Sequence, residues 1–219
     1  PLHVMTNSLP VLNELAANEG VTAMVTGGHL HRKSQSFCGA QAEKNLKEFH
    51  FDKLFLGVDG FHLEKGENID LNADYSHSSI GQMKNLKYNC DYGSLSVDEA
   101  SNVEGNGDYT GMKLGVIHGN LKVDADYGSL KIKELASDAG NVQVDGQYTG
   151  IKIGYHPAYS FNFELRSSYG GIGGLDECNI TNKEVKNNKK YYKGTCGKSS
   201  SSNNVQVTTQ YGGVSFRKN

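Results

Sequence analysis

The chain is predicted to be mainly β: a right-handed β-solenoid or β-helix-like repeat domain, preceded by a short α/β (βαβαβ) fragment. Three observations carry that prediction. A block built on tyrosine occurs seven times, at Tyr75, Tyr92, Tyr109, Tyr127, Tyr148, Tyr169 and Tyr211, with intervals of 17, 17, 18, 21, 21 and 42 residues. Within each block apolar and polar residues alternate, as in Leu121, Val123 and Ala125 before Tyr127, and the phase flips after it to Leu130 and Ile132. Period two is that of a strand with one buried face, and the flip marks a bend or bulge. The residue two before each tyrosine is always small: Ala73, Cys90, Gly107, Ala125, Gly146, Ser167 and Thr209. If ring and small residue share the inward face, the small residue leaves room for a ring stacked from turn to turn. Fixed-period self-similarity of this kind implies units that bury their faces by stacking on one another. An antiparallel sandwich with Tyr-Gly turns is the other architecture compatible with the pattern.

The first part of the chain has a different composition. All 12 tyrosines and 20 of the 27 glycines follow residue 66, whereas five of the eight phenylalanines and five of the eight histidines precede it. The boundary is therefore placed at about residues 64–68, giving domains 1–66 and 67–219. In the first, His3-Val4-Met5 reads as a short strand, Ser8 as a helix N-cap and Pro10 as a first-turn residue. Leu9, Leu12, Leu15 and Ala16 keep helical spacing up to the stop at Gly20. A second strand is expected over 21–25, a second helix over 40–49 and a third strand over 53–58. Alternating strands and helices imply parallel units whose carboxyl-end loops share one edge, where ligands bind. Thr6, Asn7, Ser8, Thr26, Gly27, Gly28, Asp59 and Gly60 occupy those loops. Glycines and a helix start suit a phosphate or a sugar hydroxyl, and turn glycines with ordinary caps account for the same residues without a ligand.

The repeats continue from about residue 67 to the end. Residues 176–204 break the pattern with six lysines and a serine run, and read as a long loop inserted at a corner. Cys178 and Cys196 bracket it, either as a disulfide in an oxidising compartment or as two free thiols. The lysines suit an acidic glycan or simply a solvated loop. Cys90 fills a small-residue slot and reads as an inert buried thiol. The histidines His29, His31, His50 and His62 match no metal-site spacing, and no carboxylate pair stands out as catalytic. Neither a metal nor a cofactor is expected. A net charge of −2 argues against bulk attraction to nucleic acid or membranes. No apolar run approaches the ~18 residues of a membrane span, and the start lacks the regions of a signal peptide.

Two resemblances add to these readings. Met5-Thr-Asn-Ser8, Val25-Thr-Gly-Gly28, His31-Arg-Lys-Ser34 and the run from Phe51 to Gly60 resemble the effector domain of DeoR-type transcriptional regulators. That resemblance implies a sugar-phosphate sensor whose loops map onto Thr6, Asn7, Ser8, Thr26, Gly27, Gly28, Asp59 and Gly60. The upstream strand end, the rest of the sheet and the DNA-binding helices of that family have no counterpart here, so the site is incomplete and no nucleic-acid partner is expected. Asp91–Leu95, Asp126–Leu130, Tyr109–Lys113, Tyr148–Lys152 and Tyr211–Phe216 resemble surface adhesins of Bacteroidetes-type bacteria with a head domain of stacked short β-turns. That resemblance implies an extracytoplasmic, non-enzymatic adhesion or scaffold protein with a glycan or protein partner. A sensor fragment would instead be cytoplasmic, and the chain reads as a chimera of the two. A carbohydrate-active enzyme on a β-helix is a third class. Open edges in the first domain would favour contact with another copy.

Overall fold

The computed structural model describes residues 2–51, 60–198 and 200–219. The protein is mainly β with a short N-terminal α/β segment, and it divides into two compact units, residues 1–54 and 55–219.

In the first unit, β1 (Leu2–Thr6) leads through the Ser8 cap into α1 (Leu9–Ala16) and then β2 (Val21–Val25). The strands pair in parallel from Leu2↔Val21 to Thr6↔Val25. Ser8 accepts the Val11 N–H on its side chain, and Pro10 stands in the first turn, where its missing N–H costs no hydrogen bond. A small antiparallel hairpin follows, β3 (His29–His31) and β4 (Ser36–Cys38), which the sequence pattern did not suggest. The helix expected over 40–49 is α2 (Ala40–Lys47) and stops two residues early. The strand expected over 53–58 lies outside the described residues. Among those described in this unit, only Ala42 is a buried apolar residue, while Leu2, Val11, Leu30, Leu46, Phe49 and Phe51 are exposed.

The second unit holds a 14-stranded mixed sheet. It begins with three long strands, β5 (Gly60–Asn72), β6 (His77–Asn89) and β7 (Ser94–Asp108), paired in parallel and in register. Beyond β7 each repeat gives one strand before its tyrosine and one after. These are β8 (Gly111–Ile117), β9 (Leu121–Asp126), β10 (Ser129–Leu135), β11 (Val142–Gln147), β12 (Gly150–Tyr155), β13 (Phe161–Ser168) and the two-residue β14 (Ile172–Gly173). Then come β15 (Asn179–Lys186), β16 (Lys189–Cys196), β17 (Asn204–Gln210) and β18 (Val214–Lys218). The start of β7 pairs with β8 and its end with β9, so two rows of parallel strands diverge from it. One row runs β8-β10-β12-β18-β14, the other β9-β11-β17-β13. Pairing between repeats is parallel, which excludes the antiparallel sandwich.

The alternation places side chains as expected on the strands. Leu121, Val123, Ala125, Leu130 and Ile132 are 1–2% exposed and join one core cluster running from Leu71 to Phe216. One expectation is corrected. Residues 176–204 are not simply a loop: β15 and β16 form an antiparallel hairpin, and β16 continues antiparallel onto β13. Spatial order also departs from chain order, because β17 lies between β11 and β13, and β18 between β12 and β14. The last repeat is thus inserted between the two before it.

Candidate functional site

At the carboxyl ends of β1 and β2 the backbone gathers six of the expected ligand residues. The Thr26 N–H donates to the Thr6 carbonyl (3.0 Å), and the Ser8 N–H to Thr6 Oγ1 (3.0 Å). The Asn7 carbonyl accepts from the Phe37 N–H (2.7 Å), which ties this loop to β4. Asn45 on α2 donates to the Thr26 carbonyl (2.9 Å), and Thr26 is buried. Gly27 and Gly28 take φ of +71° and +98°, the left-handed region where a side chain is strained. A Cβ on Gly28 would stand 2.4 Å from the Cys38 carbonyl, so glycine is required there by contact as well as by torsion. The two loops therefore meet at one end of a parallel strand pair beside a capped helix start, an arrangement able to receive an anion. Asp59 lies outside the described residues. Gly60 opens β5 opposite His77, in the second unit.

The tyrosines form the most regular surface of the second unit. Their rings stack in the order Tyr75, Tyr92, Tyr109, Tyr127, Tyr148, Tyr211, Tyr169, with centroids 4.8–5.0 Å apart and planes within 15°. The expectation that they point inward is overturned. All seven are exposed, from 43% at Tyr211 to 74% at Tyr75. The reason is local: every one has φ between +51° and +58°. A left-handed residue at the bend turns its side chain out, while the small residue two before it stays inside, as Cys90 and Ala125 do. That conformation costs roughly 1–2 kcal/mol in a residue with a Cβ. Ring contacts worth about 0.5–1.5 kcal/mol each, and two per interior ring, offset it. The ladder of backbone bonds also continues through the bend, since the Tyr92 N–H donates to the Asp108 carbonyl (2.9 Å) and the Tyr127 N–H to the Gln147 carbonyl (2.8 Å).

Behind the rings, hydroxyl and glycine alternate from repeat to repeat: Ser76, Gly93, Thr110, Gly128, Thr149, Gly212. A Cβ on Gly93, Gly128 or Gly212 would come within 2.1–2.2 Å of the carbonyl of the hydroxyl residue before it. Thr110 Oγ1 lies 2.8 Å from the Cys90 carbonyl and Thr149 Oγ1 2.8 Å from the Ala125 carbonyl, both buried. Beside the rings stand Asp91, Asp108 and Asp126. Partial burial, and then the neighbouring Asp91 and Asp126, raise the Asp108 pKa above the ordinary carboxylate value. Partial desolvation, and then the adjacent phenols and carboxylates, raise those of Tyr92 and Tyr127.

Sequence reasoning missed a second ladder. An asparagine stands seven residues before each of the seven stacked tyrosines: Asn68, Asn85, Asn102, Asn120, Asn141, Asn162 and Asn204. The Asn85 amide donates to Asn68 Oδ1 (2.7 Å) and Asn102 to Asn85 Oδ1 (2.8 Å). At the next corners the backbone N–H groups of Asn120, Asn141 and Asn204 donate to the preceding asparagine's Oδ1 at 2.8–2.9 Å. The identical spacing of the two residue types was the signal. An open groove of about 750 Å³ runs along this corner past Lys87, Glu104, Lys122 and Gln143. At the hairpin, Cys178 and Cys196 are joined in a disulfide, while Cys38 and Cys90 are free. Burial, with Asp74 and Asp91 nearby, pushes the Cys90 thiol up to about 11. Among the described residues no group of three or more histidine, cysteine or carboxylate side chains could hold a metal ion.

Residues 1–74 match the DeoR C terminal sensor domain family. Over 62 residues the chain is 58% identical to a protein of Escherichia coli O157:H7 assigned as an aga operon transcriptional repressor, covering 28% of this chain and 23% of that protein. It is 42% identical over 65 residues to the uncharacterized HTH-type transcriptional regulator YulB of Bacillus subtilis, covering 30% of this chain and 25% of YulB. The HTH-type transcriptional regulator IolR of the same species is 30% identical over 69 residues, 31% of this chain and 28% of IolR. The chain thus spans about a quarter of the length of these curated relatives. No solved structure matches it.

Proposed function

We propose that the N-terminal unit senses a phosphorylated sugar, as part of a DeoR-type effector domain. The observation that supports this best is the meeting of Thr6, Asn7 and Ser8 with Thr26, Gly27 and Gly28 at the ends of a parallel strand pair, within residues that match that sensor family. The two positive-φ glycines let the backbone approach an anion closely, and the Ser8-capped start of α1 adds favourable partial charge. The test is titration of the full chain with hexose and pentose phosphates, the free sugars and inorganic phosphate, followed by calorimetry. Saturable heat from a sugar phosphate, reduced in a Thr26→Val variant, is expected. Equal heat from inorganic phosphate alone would overturn the reading.

A second reading concerns the repeats, and the observation favouring it is their parallel, in-register pairing. Residues 60–219 act as a non-enzymatic β-solenoid that carries exposed rows of side chains in an adhesion or surface-scaffold role. On this reading the repeats act outside the cytoplasm. Antibody labelling of intact against permeabilised cells tests it, and signal only after permeabilisation would sink it.

A further inference from the structure

On the outer face of the row β8-β10-β12, register brings Lys113, Lys131 and Lys152 side by side. Adjacent strands lie about 4.8 Å apart, so three ammonium groups follow the direction of stacking at that interval. All three are exposed, and among the described residues none joins an ion pair. Like charges directly opposite one another on a sheet are destabilising. Lys133, two residues beyond Lys131 on β10, and Arg217 on the adjoining β18 add positive charge, and Asp98 on β7 and Glu134 on β10 are acids bordering the row. Apolar side chains of this row, such as Met112, Leu130, Ile132 and Ile151, face the core.

The strip beside the lysines is bare. The residues two before them are Gly111, Ser129 and Gly150, and Gly213 and Gly171 continue the line. None of these glycines has a positive φ. A Cβ at Gly150, Gly171 or Gly173 would meet nothing within 4 Å, and one at Gly111 only Ser129 Oγ at 3.8 Å. Neither packing nor torsion asks for glycine there, unlike at Gly93 and Gly128. Glycine within a strand is destabilising relative to alanine and is found where a ligand or another backbone approaches closely. A shallow depression of about 400 Å³ lies over Gly150, Lys152, Gly171, Gly213 and Ser215. Tyr109, Tyr127 and Tyr148, each four residues before a lysine, line the bend parallel to it.

We infer that this face binds a linear acidic polysaccharide lying along the stacking direction, its carboxylate or sulfate groups on Lys113, Lys131 and Lys152 and its sugar rings over the glycine-serine strip. The cation row supplies the charge complement, the bare strip admits rings, and serine and phenol hydroxyls suit a hydroxyl-rich chain. A single-stranded nucleic acid fits less well. Its bases need free aromatic faces, and here interior faces are covered by the next ring, with Asp91, Asp108 and Asp126 directly beside the ladder.

The inference rests on the solenoid reading of residues 60–219, and the test separates the two. Polygalacturonate, dextran and poly-dT are each titrated into the full chain at low salt, with circular dichroism on every variant. Binding to polygalacturonate and not dextran is expected. The combined Lys113→Ser, Lys131→Ser and Lys152→Ser variant should lose about tenfold or more in affinity, as should Gly150→Tyr, which fills the strip. A control with Lys186→Ser, Lys189→Ser and Lys193→Ser in the hairpin should bind like the parent. No binding to polygalacturonate, equal binding to dextran, tighter binding to poly-dT, or loss only in the hairpin control would each overturn the inference. If the β signal is intact in such a case, the solenoid reading stands and only the ligand falls; a chain lacking that signal takes both down.

Discussion

The two units meet the burial problem in opposite ways. Residues 60–219 repeat one short motif, and each copy buries the face that the next exposes, so apolar side chains from Leu71 to Phe216 form a single core. Residues 2–51 carry a parallel strand pair and two short helices with one buried apolar side chain among them. Parallel sheets need cover on both faces, and among the described residues of this unit the two short helices and the β3–β4 hairpin bury only Ala42 as an apolar side chain. A good local pattern therefore yields a stable body only where its partners belong to the same chain. The overlap sharpens the contrast: the sensor-family match runs to residue 74, through β5, which is also the first strand of the stack.

The largest expected effect is on whole units. Brief proteolysis should remove the residues before Gly60 and leave a resistant piece that begins near β5, as mass spectrometry would show. A resistant N-terminal piece with digested repeats would reverse the comparison. Next come single apolar truncations. Leu130→Ala, in the core at 1% exposure, should cost about 2–5 kcal/mol in urea unfolding. Leu30→Ala, 45% exposed, should change the stability of its unit by less than about 0.5 kcal/mol. Comparable losses at both positions would mean that the first unit owns a core after all.

Smaller effects probe the bend. Tyr127→Ala should cost on the order of 1 kcal/mol, because two ring contacts are lost while strain at φ +54° persists. Tyr127→Gly should recover part of that loss, since glycine is at ease in this conformation. A cost as large as that of Leu130→Ala would return the tyrosines to the core. The smallest effect is electrostatic. The folded Asp108 carboxyl titrates above its unfolded value, so the folded chain holds the proton more tightly and stability falls as pH rises from the ordinary aspartate range through the raised value. Asp108→Asn should therefore gain stability at neutral pH, and the gain should vanish once the pH drops below that range. Paired thermal melts at neutral and acid pH measure it, and a gain independent of pH would assign it to hydrogen bonding instead.

How much was legible follows from what each signal encodes. Period-two alternation identified the inward residues on the strands, such as Val142 and Val144 on β11 and Ile151 and Ile153 on β12. It could not orient the tyrosines, because alternation says nothing about a residue at positive φ, where the side chain leaves the plane of the pleat. The asparagine ladder shared the tyrosine spacing and was readable in principle. The order of the last two repeats was not readable: Val205 and Val207 suit the edge of β11 as well as Phe163 and Leu165 do, so composition leaves the neighbour undetermined. In the first unit, caps and glycines located α1 and the loop ends at Thr6 and Thr26, whereas the hairpin of β3 and β4 has only three residues per strand and no alternation to announce it.

The insertion of β17 and β18 has a consequence for biosynthesis. A chain made from its N-terminus can add each repeat to the growing stack as it emerges, until residue 155. The following segment, residues 161–196, has its place in the finished molecule beyond strands that do not yet exist. It can form its own antiparallel meander, closed by Cys178 and Cys196, but it cannot settle until residues 204–218 arrive between it and β11. Residues 204–218 thus work as a keystone. A chain that stops before residue 204 has unfilled strand edges at β11 and β13 and at β12 and β14, each a template for a neighbouring nascent chain. Completion of residues 204–218 therefore governs whether these molecules stay apart.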